Sequence, residues 1–345
     1  MILRQFARAL VAPLAVAAAV LLAAGCGDDA ASSVTGGGSS SLTLVAYTTP
    51  REVYEELIPA FNATPAGEDV SFERSYGPSG DQSRAVEAGL PADVLALSLA
   101  PDVTRLEAPG IVDPSWDDGP TRGFVSNSIV VFLVREGNPK DVRTWDDLVR
   151  DDVEVITPNP FTSGGAQWNI AAAYGAQLAR GRTKQEALEY LRRLFERVPV
   201  QPKGARESLQ IFTAGKGDVL LAYENEAILA RSNGEPVDYV VPDETVLIQN
   251  PIAVTTSSRN PEAARSFVDY ALSAPAQEVF AERGYRPVDA EVAARYADRY
   301  PEPPGLFTVD GALGGWAAFR EEFFNPQTGH MADILAGRGF TQDDG

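Results

Sequence analysis

Residues 153–169 read VEVITPNPFTSGGAQWN, and this stretch combines the features that decide the fold. The β-rich run 153–157 predicts a short strand, Thr162-Ser163-Gly164-Gly165 predicts a turn, and apolar spacing predicts a helix over 164–180. A strand that leads through a glycine turn into a helix is a building unit of α/β proteins. The start of such a helix presents backbone N–H groups without intrahelical partners and the positive end of a dipole, so it is a ready anion site.

Two further turns of small residues open helices in the same way. They are Gly77-Pro78-Ser79-Gly80, which follows a predicted strand over 70–76, and Lys203-Gly204-Ala205, which precedes a predicted helix over 205–214. Ser79 has the residue type of a helix N-cap. Three such helix starts indicate a small anion held by neutral peptide groups, and they favour a binding protein over an enzyme.

Strands and helices alternate along the chain, which predicts an α/β fold with a parallel sheet and crossover helices. The helix predicted over 51–63 illustrates the pattern, because its apolar residues recur with helical spacing. These residues are Val53, Tyr54, Leu57, Ile58 and Phe61.

Two long β runs, over 124–134 and 246–255, are spaced as a pair of crossings between two lobes would be. We therefore predict that residues 42–127 plus 250–345 form lobe 1 and that residues 128–249 form lobe 2. Ligands in open α/β sheets bind at the carboxyl ends of strands, where the three glycine turns are predicted to lie. The sequence thus predicts a ligand cleft between two hinged lobes.

The start of the chain has the pattern of an export signal. Two arginines precede an apolar run of about 16 residues, which is short for a membrane-spanning helix. The run ends in Leu22-Ala23-Ala24-Gly25-Cys26, which is similar to the cleavage site of a bacterial lipoprotein. We predict a signal peptide over 1–25 and lipidation of Cys26; an ordinary cleaved signal and an uncleaved anchor are the alternatives.

Residues 26–41 consist mostly of Gly, Ser, Asp and Ala, a composition typical of a flexible tether. A tether between a lipid and a folded body predicts a protein at the outer face of the cytoplasmic membrane, in the periplasm or cell-wall space.

Charge and cysteine content narrow the function classes. The 345 residues carry a formal net charge of −19, so neither nucleic acid nor an anionic lipid surface is an expected partner. The same charge repels anionic ligands at long range, so an anion site must depend on local geometry. Cys26 is the single cysteine, so no intramolecular disulfide is possible.

Four blocks of the sequence resemble the periplasmic sulfate-binding proteins of ABC importers, in order and with fitting spacing between about 42 and 290. The blocks are Ser75-Tyr76-Gly77-Pro78-Ser79-Gly80-Asp81-Gln82-Ser83-Arg84, Asn159-Pro160-Phe161-Thr162-Ser163-Gly164-Gly165-Ala166-Gln167-Trp168-Asn169, Gly204-Ala205-Arg206 and Gly217-Asp218-Val219-Leu220-Leu221-Ala222-Tyr223-Glu224-Asn225-Glu226-Ala227. The resemblance implies the two-lobe periplasmic-binding-protein fold of type II. It also implies a dehydrated sulfate bound by hydrogen-bond donors alone, without metal, cofactor or salt bridge, and permease subunits as partners of a monomer.

Carried over by position, the resemblance implies seven ligand residues: Thr48, Ser79, Ser163, Gly164, Gly165, Ala205 and Tyr223. Ser163 would donate through its hydroxyl, and Gly164, Gly165 and Ala205 through their amides. Two positions depart from the family pattern. Thr48 replaces a common Asp where only the amide need matter, and Tyr223 replaces a Trp whose indole N–H is the usual donor.

The charged residues near the helix starts admit two interpretations. Arg84 and Arg206 either brace the site from behind or form structural ion pairs with neighbouring carboxylates. Asp81 and Glu207 are expected to compensate helix dipoles rather than to bind the ligand. Trp168 is expected to pack in the core.

Rival functions find little support. Ser79 lies in a near match to a nucleophile elbow, but Asp81 occupies the position of the second glycine, and a hydrolase triad would depend on His330, the single histidine. We expect no enzymatic activity and no metal site. The same scaffold could take thiosulfate, molybdate, tungstate or phosphate, and thiosulfate is the hardest to separate from sulfate because its charge and shape are nearly the same.

Overall fold

The structure is a computed structural model that describes residues 40–340. The predicted signal peptide, Cys26 and residues 27–39 of the predicted tether lie outside this range. Ser40 and Ser41, which the sequence assigns to the tether, begin the first strand.

The described residues form strands and helices in the alternation that the sequence predicts. The strands are β1 (Ser40–Tyr47), β2 (Val70–Gly77), β3 (Val94–Ala96), β4 (Phe124–Arg135), β5 (Val155–Ile156), β6 (Val219–Tyr223), β7 (Val237–Val240), β8 (Glu244–Val254) and β9 (Gly305–Phe307). The helices are α1 (Arg51–Asn62), α2 (Ser79–Glu87), α3 (Ala100–Thr104), α4 (Gly164–Ala179), α5 (Lys184–Glu196), α6 (Ala205–Thr213), α7 (Glu224–Ser232), α8 (Pro261–Leu272), α9 (Ala274–Glu282), α10 (Ala290–Arg295), α11 (Val309–Ala312), α12 (Trp316–Phe324) and α13 (His330–Ala336). A 3₁₀ helix spans Trp145–Val149.

Most predicted elements are confirmed to within a few residues at their ends. α1 buries the five apolar residues that were predicted to form its inner face. The short elements α3, β9 and α11 were not predicted, because three to five residues are too few to show a hydrophobic period.

The strands form one mixed sheet, in the order β2-β1-β3-β8-β4-β6-β5, with β7 on β4 and β9 on β8. The expectation of a parallel sheet is therefore only half right. β1 pairs in parallel with β2 and β3, and β5 with β6, but β4 and β8 run antiparallel to each other and to their neighbours β3, β6 and β7. The reason is that β4 and β8 do not belong to βαβ units. They pair with each other, and beyond that pairing β8 joins β3 of one half of the sheet while β4 joins β6 and β7 of the other.

Buried apolar side chains form separate clusters on the two halves of the sheet. One cluster joins β1, α1, α8 and α9, and the largest joins β4, α4, α5, α12 and α13. Phe319, Phe323 and Met331 thus pack with elements of predicted lobe 2, although the sequence groups residues 250–345 with lobe 1. The lobe boundaries remain a prediction, and for residues 309–336 the hydrophobic contacts favour lobe 2.

Within residues 40–340, no helix combines the length and apolar character that a membrane crossing requires.

Candidate anion-binding site

A small cavity lies where the ends of several strands meet the starts of helices. Its volume is about 20 Å³, which suits a compact group of a few atoms. The residues that line it are Tyr47, Thr48, Thr49, Gly77, Pro78, Ser79, Ser98, Ser163, Gly164, Gly165, Gly204, Ala205 and Tyr223. All seven predicted ligand residues therefore line one cavity, and none of its lining residues carries a charge. That they bind an anion remains a prediction.

The three glycine turns approach one another closely around this cavity. A β-carbon placed on Gly80 would lie 3.1 Å from the Thr162 carbonyl oxygen, and one on Gly204 would lie 3.3 Å from Pro78 Cγ. Thr162 Oγ1 also donates to the Lys203 carbonyl over 2.7 Å. Helices α2, α4 and α6 consequently begin at the same place, with their N-termini directed at the same small space.

The first amides of these helices have no acceptor among residues 40–340. The N–H groups of Ser79, Gly164, Gly165 and Ala205 make no hydrogen bond to another described residue, because the first turn of a helix lacks intrahelical acceptors. Gly164 allows its turn to pack tightly, since a β-carbon there would lie 2.7 Å from Ser98 Oγ. Several backbone N–H donors without a partner among the described residues thus surround the cavity.

The hydroxyls of the two predicted serine ligands have different partners. Ser163 is the N-cap of α4 and accepts from the Ala166 amide over 3.4 Å, which leaves its proton available to a ligand. Ser79 is not an N-cap, and that prediction is wrong: Pro78 occupies the cap position and Ser79 begins α2. The Ser79 hydroxyl donates to Asp102 over 2.6 Å, so the donor that Ser79 keeps for a ligand is its amide.

Asp102 is a buried carboxylate behind the cavity that the sequence analysis did not identify. Burial raises its pKa, and the Arg320 guanidinium, 3.8 Å away, and the Ser79 hydroxyl act in the opposite direction. Because the Ser79 hydroxyl points its proton at Asp102, the lone pairs of Ser79 Oγ face the Ser98 amide, and that amide donates to Ser79 Oγ over 3.0 Å. The carboxylate therefore holds Ser98 in place.

Ser98, which was also missed, joins several parts of the site. Its carbonyl accepts from Trp168 Nε1 over 3.0 Å and from Asn250 Nδ2 over 3.1 Å, and its Oγ lies 2.7 Å from the Tyr223 hydroxyl. Trp168 packs in the core as expected and in addition supports Ser98. The signal that could have found Ser98 is its place just after β3, at the same sheet edge as Thr48 and Gly77.

The aromatic side of the cavity consists of Tyr47 and Tyr223, whose ring centroids are 6.4 Å apart. Burial raises the pKa of both phenols well above the ordinary value, so both stay protonated and neutral. The Glu226 carboxylate accepts from the Tyr223 amide over 3.3 Å. Burial raises the pKa of Glu226 to about 7.

Arg84 and Arg206 form ion pairs close to the cavity without lining it. Arg84 pairs with Asp81 and donates to the Phe161 carbonyl over 3.4 Å. Arg206 Nη2 donates to both carboxylate oxygens of Glu52, over 2.8 and 2.9 Å. The ion-pair interpretation is thus confirmed for both arginines, and that they brace the site remains a prediction.

Other chemistry finds no matching arrangement in the described part of the chain. No group of three or more His, Cys, Asp or Glu side chains there is placed to hold a metal ion. His330 lies at the start of α13, 3.9 Å from Glu322, and does not line the cavity with Ser79.

A mixed sheet whose strand ends surround a small uncharged cavity fits a solute-binding protein. A family model described as "Bacterial extracellular solute-binding protein" matches residues 42–286, and the chain belongs to this family. It has the two-lobe α/β fold of the periplasmic binding proteins, as the sequence predicts.

Individual relatives with a named ligand confirm the resemblance that the four sequence blocks indicate. The chain is 41% identical over 295 residues to the sulfate-binding protein of Synechocystis sp., covering 83% of this chain and 84% of that protein. It is 34% identical to the thiosulfate-binding protein of Pseudomonas aeruginosa, covering 81% of this chain and 88% of that protein. The solved sulfate-binding protein SubI from Mycobacterium tuberculosis H37Rv is 44% identical, with a TM-score of 0.81 over 83% of this chain and 100% of that one.

Proposed function

We propose that this protein is the extracytoplasmic sulfate-binding component of an ABC importer. The observation that carries the proposal is the cavity itself, in which unpaired amides from three helix starts converge and no lining side chain is charged. The sulfate-binding relatives at 41% and 44% identity support the choice of ligand.

The donor set is adequate for a fully ionised oxyanion. A buried dianion is strongly destabilised unless each of its oxygens is paired. Charge-assisted hydrogen bonds contribute roughly 1.5–3 kcal/mol each, and each helix N-terminus adds up to about 2 kcal/mol when partly buried. Thr48, the helix-start amides, the Ser163 hydroxyl and the Tyr223 corner together can offset the loss of hydration and leave an affinity near micromolar, about −8 kcal/mol.

The role in transport follows from this mode of binding. The anion would contact elements of both predicted lobes, so its binding would stabilise the closed cleft, and the permease subunits would recognise that closed form. The protein would perform no chemistry of its own, and ATP hydrolysis would belong to its partners. We further propose that it acts as a monomer and that a lipid on Cys26 holds it at the membrane.

Isothermal titration of the purified protein with sulfate, thiosulfate, molybdate and phosphate tests the proposal. Sulfate is expected to bind most tightly and phosphate more weakly, because a site made mainly of donors offers few acceptors for the O–H of hydrogenphosphate. Phosphate binding as tight as sulfate binding would contradict the donor-based site. Thiosulfate binding tighter than sulfate binding would assign the protein to the thiosulfate carriers, which the Pseudomonas aeruginosa relative represents.

A further inference from the structure

Ser98 and Tyr223 place two hydroxyl groups side by side at one corner of the cavity, with their oxygens 2.7 Å apart. We propose that this hydroxyl pair contacts the bound oxyanion and sets its selectivity, because it can donate to an unprotonated oxygen or accept from a protonated one. This inference rests on the proposed function and deepens it: the cleft discriminates less against hydrogenphosphate than a cleft of donors alone would.

Both oxygens of the pair are held in place, so only their protons can rearrange. Ser98 is 1% exposed and Tyr223 is 2% exposed. The Ser98 amide donates to Ser79 Oγ, and its carbonyl accepts from Trp168 Nε1 and Asn250 Nδ2. The backbone of Ser98 is thereby anchored on both sides, and its side chain remains free to serve the cavity.

The pair also lies directly against the donors that we assign to the anion. A β-carbon on Gly164 would lie 2.7 Å from Ser98 Oγ, and one on Gly165 would lie 3.6 Å from Tyr223 Cε1. Ser98 and Tyr223 line the same small cavity as Gly164 and Gly165, so a ligand bound to these amides would share that space with the hydroxyl pair.

Counting protons shows what the pair can do. Two hydroxyls carry two protons, and the 2.7 Å hydrogen bond between them uses one. Either oxygen can be the donor of that bond, so the second proton belongs to Ser98 in one arrangement and to Tyr223 in the other. In each arrangement one hydroxyl donates to the ligand. The Asn250 amide also hydrogen-bonds to the Tyr223 phenol, and Ser98 Oγ keeps a lone pair that can accept from a proton-bearing oxygen.

An indole at position 223 would behave differently, because its N–H donates and cannot accept. Against such a donor, the hydroxyl of hydrogenphosphate is left unpaired, and an unpaired buried group weakens binding strongly. The raised pKa of the Tyr223 phenol keeps its proton in place, so the adaptability comes from reorientation of two neutral hydroxyls and not from ionisation.

The test compares the Kd of sulfate with the Kd of hydrogenphosphate at slightly alkaline pH, in the wild-type protein and in the double variant Ser98→Ala/Tyr223→Phe. Removing both hydroxyls deletes one donor for sulfate but a donor and an acceptor for hydrogenphosphate. The ratio of the hydrogenphosphate Kd to the sulfate Kd is expected to rise about tenfold or more. The matched control is Ser128→Ala/Tyr190→Phe, which removes two buried hydroxyls that bond to Asn225 and Trp145 away from the cavity and should leave the ratio unchanged.

An unchanged ratio in the double variant would overturn the inference, as would an equal rise in the control. If the double variant unfolds early in thermal melting, Ser98→Ala and Tyr223→Phe are measured singly, and each should raise the ratio by a smaller factor; no rise in either would again overturn it. Failure of the wild-type protein to bind sulfate at all is a separate result, which would reject the proposed function and not the role of the pair alone.

Discussion

At the scale of single residues, the cavity depends on the absence of side chains. A β-carbon on Gly164 would lie 2.7 Å from Ser98 Oγ and 3.1 Å from Leu99 Cγ, both closer than van der Waals contact. Any side chain there must displace Ser98, which supports the Tyr223 corner. Gly164 therefore contributes through the close approach that it permits and not through backbone strain.

We predict that Gly164→Asp abolishes sulfate binding, because the added carboxylate would repel the dianion and displace Ser98 from the cavity. Titration calorimetry measures the loss of binding, and thermal unfolding is expected to show a moderate destabilisation of roughly 1–3 kcal/mol from overpacking.

The control is Gly119→Asp, which adds the same charge where a β-carbon meets no atom within 4 Å. Its affinity should equal that of the wild-type protein. Unchanged affinity in Gly164→Asp would remove the second glycine turn from the site.

At the scale of elements, helix starts supply the donors of the cavity. α2, α4 and α6 begin with Ser79, Gly164 and Ala205, and the amides of these residues find no acceptor in the described part of the chain. The sheet makes this convergence possible, because β2 leads into α2 in one half and β5 leads into α4 in the other, and the two halves run in opposite directions. Their carboxyl ends therefore face each other, although the segments are distant in sequence.

We predict that Ser163→Ala weakens sulfate binding by roughly tenfold to a hundredfold, since it removes a hydroxyl that donates to a charged ligand. It should also lower the free energy of unfolding by about 1 kcal/mol, because Ser163 is the N-cap of α4.

Thr183→Ala separates the two effects. Thr183 caps α5 by accepting from the Glu186 amide over 3.2 Å, and it does not line the cavity. This variant should lose about as much stability as Ser163→Ala with no change in the Kd of sulfate. If both variants changed the Kd equally, the effect of Ser163→Ala would be one of stability alone.

At the scale of the whole molecule, several contacts join elements that we assign to different lobes. Arg206 of α6 pairs with Glu52 of α1, and Trp168 of α4 donates to the carbonyl of Ser98, which follows β3. These contacts lie around the cavity, as we expect for a cleft closed between the two predicted lobes. Opening the cleft would require them to break.

We predict that Arg206→Ala raises the Kd of sulfate by less than about fivefold, mainly through faster dissociation, because the Arg206–Glu52 pair is partly exposed and such pairs contribute roughly 0.2–1 kcal/mol. Stopped-flow kinetics measure the dissociation rate.

The control is Arg74→Ala, which removes a pair with Glu55 of the same helix α1 at 2.6 Å, entirely within predicted lobe 1. It should leave the dissociation rate unchanged. Complete loss of binding in Arg206→Ala would mean that this arginine contacts the anion directly.

Local sequence patterns predicted the elements and the three helix starts, and the resemblance to the sulfate-binding proteins supplied the seven ligand residues. Hydrophobic spacing is a local property, so it identified α1, α4 and α5, and the turn residues before α2, α4 and α6 identified the helix starts. The seven predicted ligand residues line one cavity. β1, β2 and β3 run opposite to β5 and β6, so the carboxyl ends of the two halves of the sheet face each other around it.

Only the tertiary structure decided which groups meet there and which hydroxyls remain free. Ser98 and Asp102 have no motif of their own; they matter because Ser98 lies 125 residues from Tyr223 in the chain yet 2.7 Å from it in space, and because Asp102 takes the Ser79 proton. For the same reason, the sequence did not predict that β4 and β8 are antiparallel. Nor did it predict that α12 and α13 pack against α4 and α5. Hydrogen-bond partners and long-range pairing are set by distances between remote segments, and local periodicity carries no information about those distances.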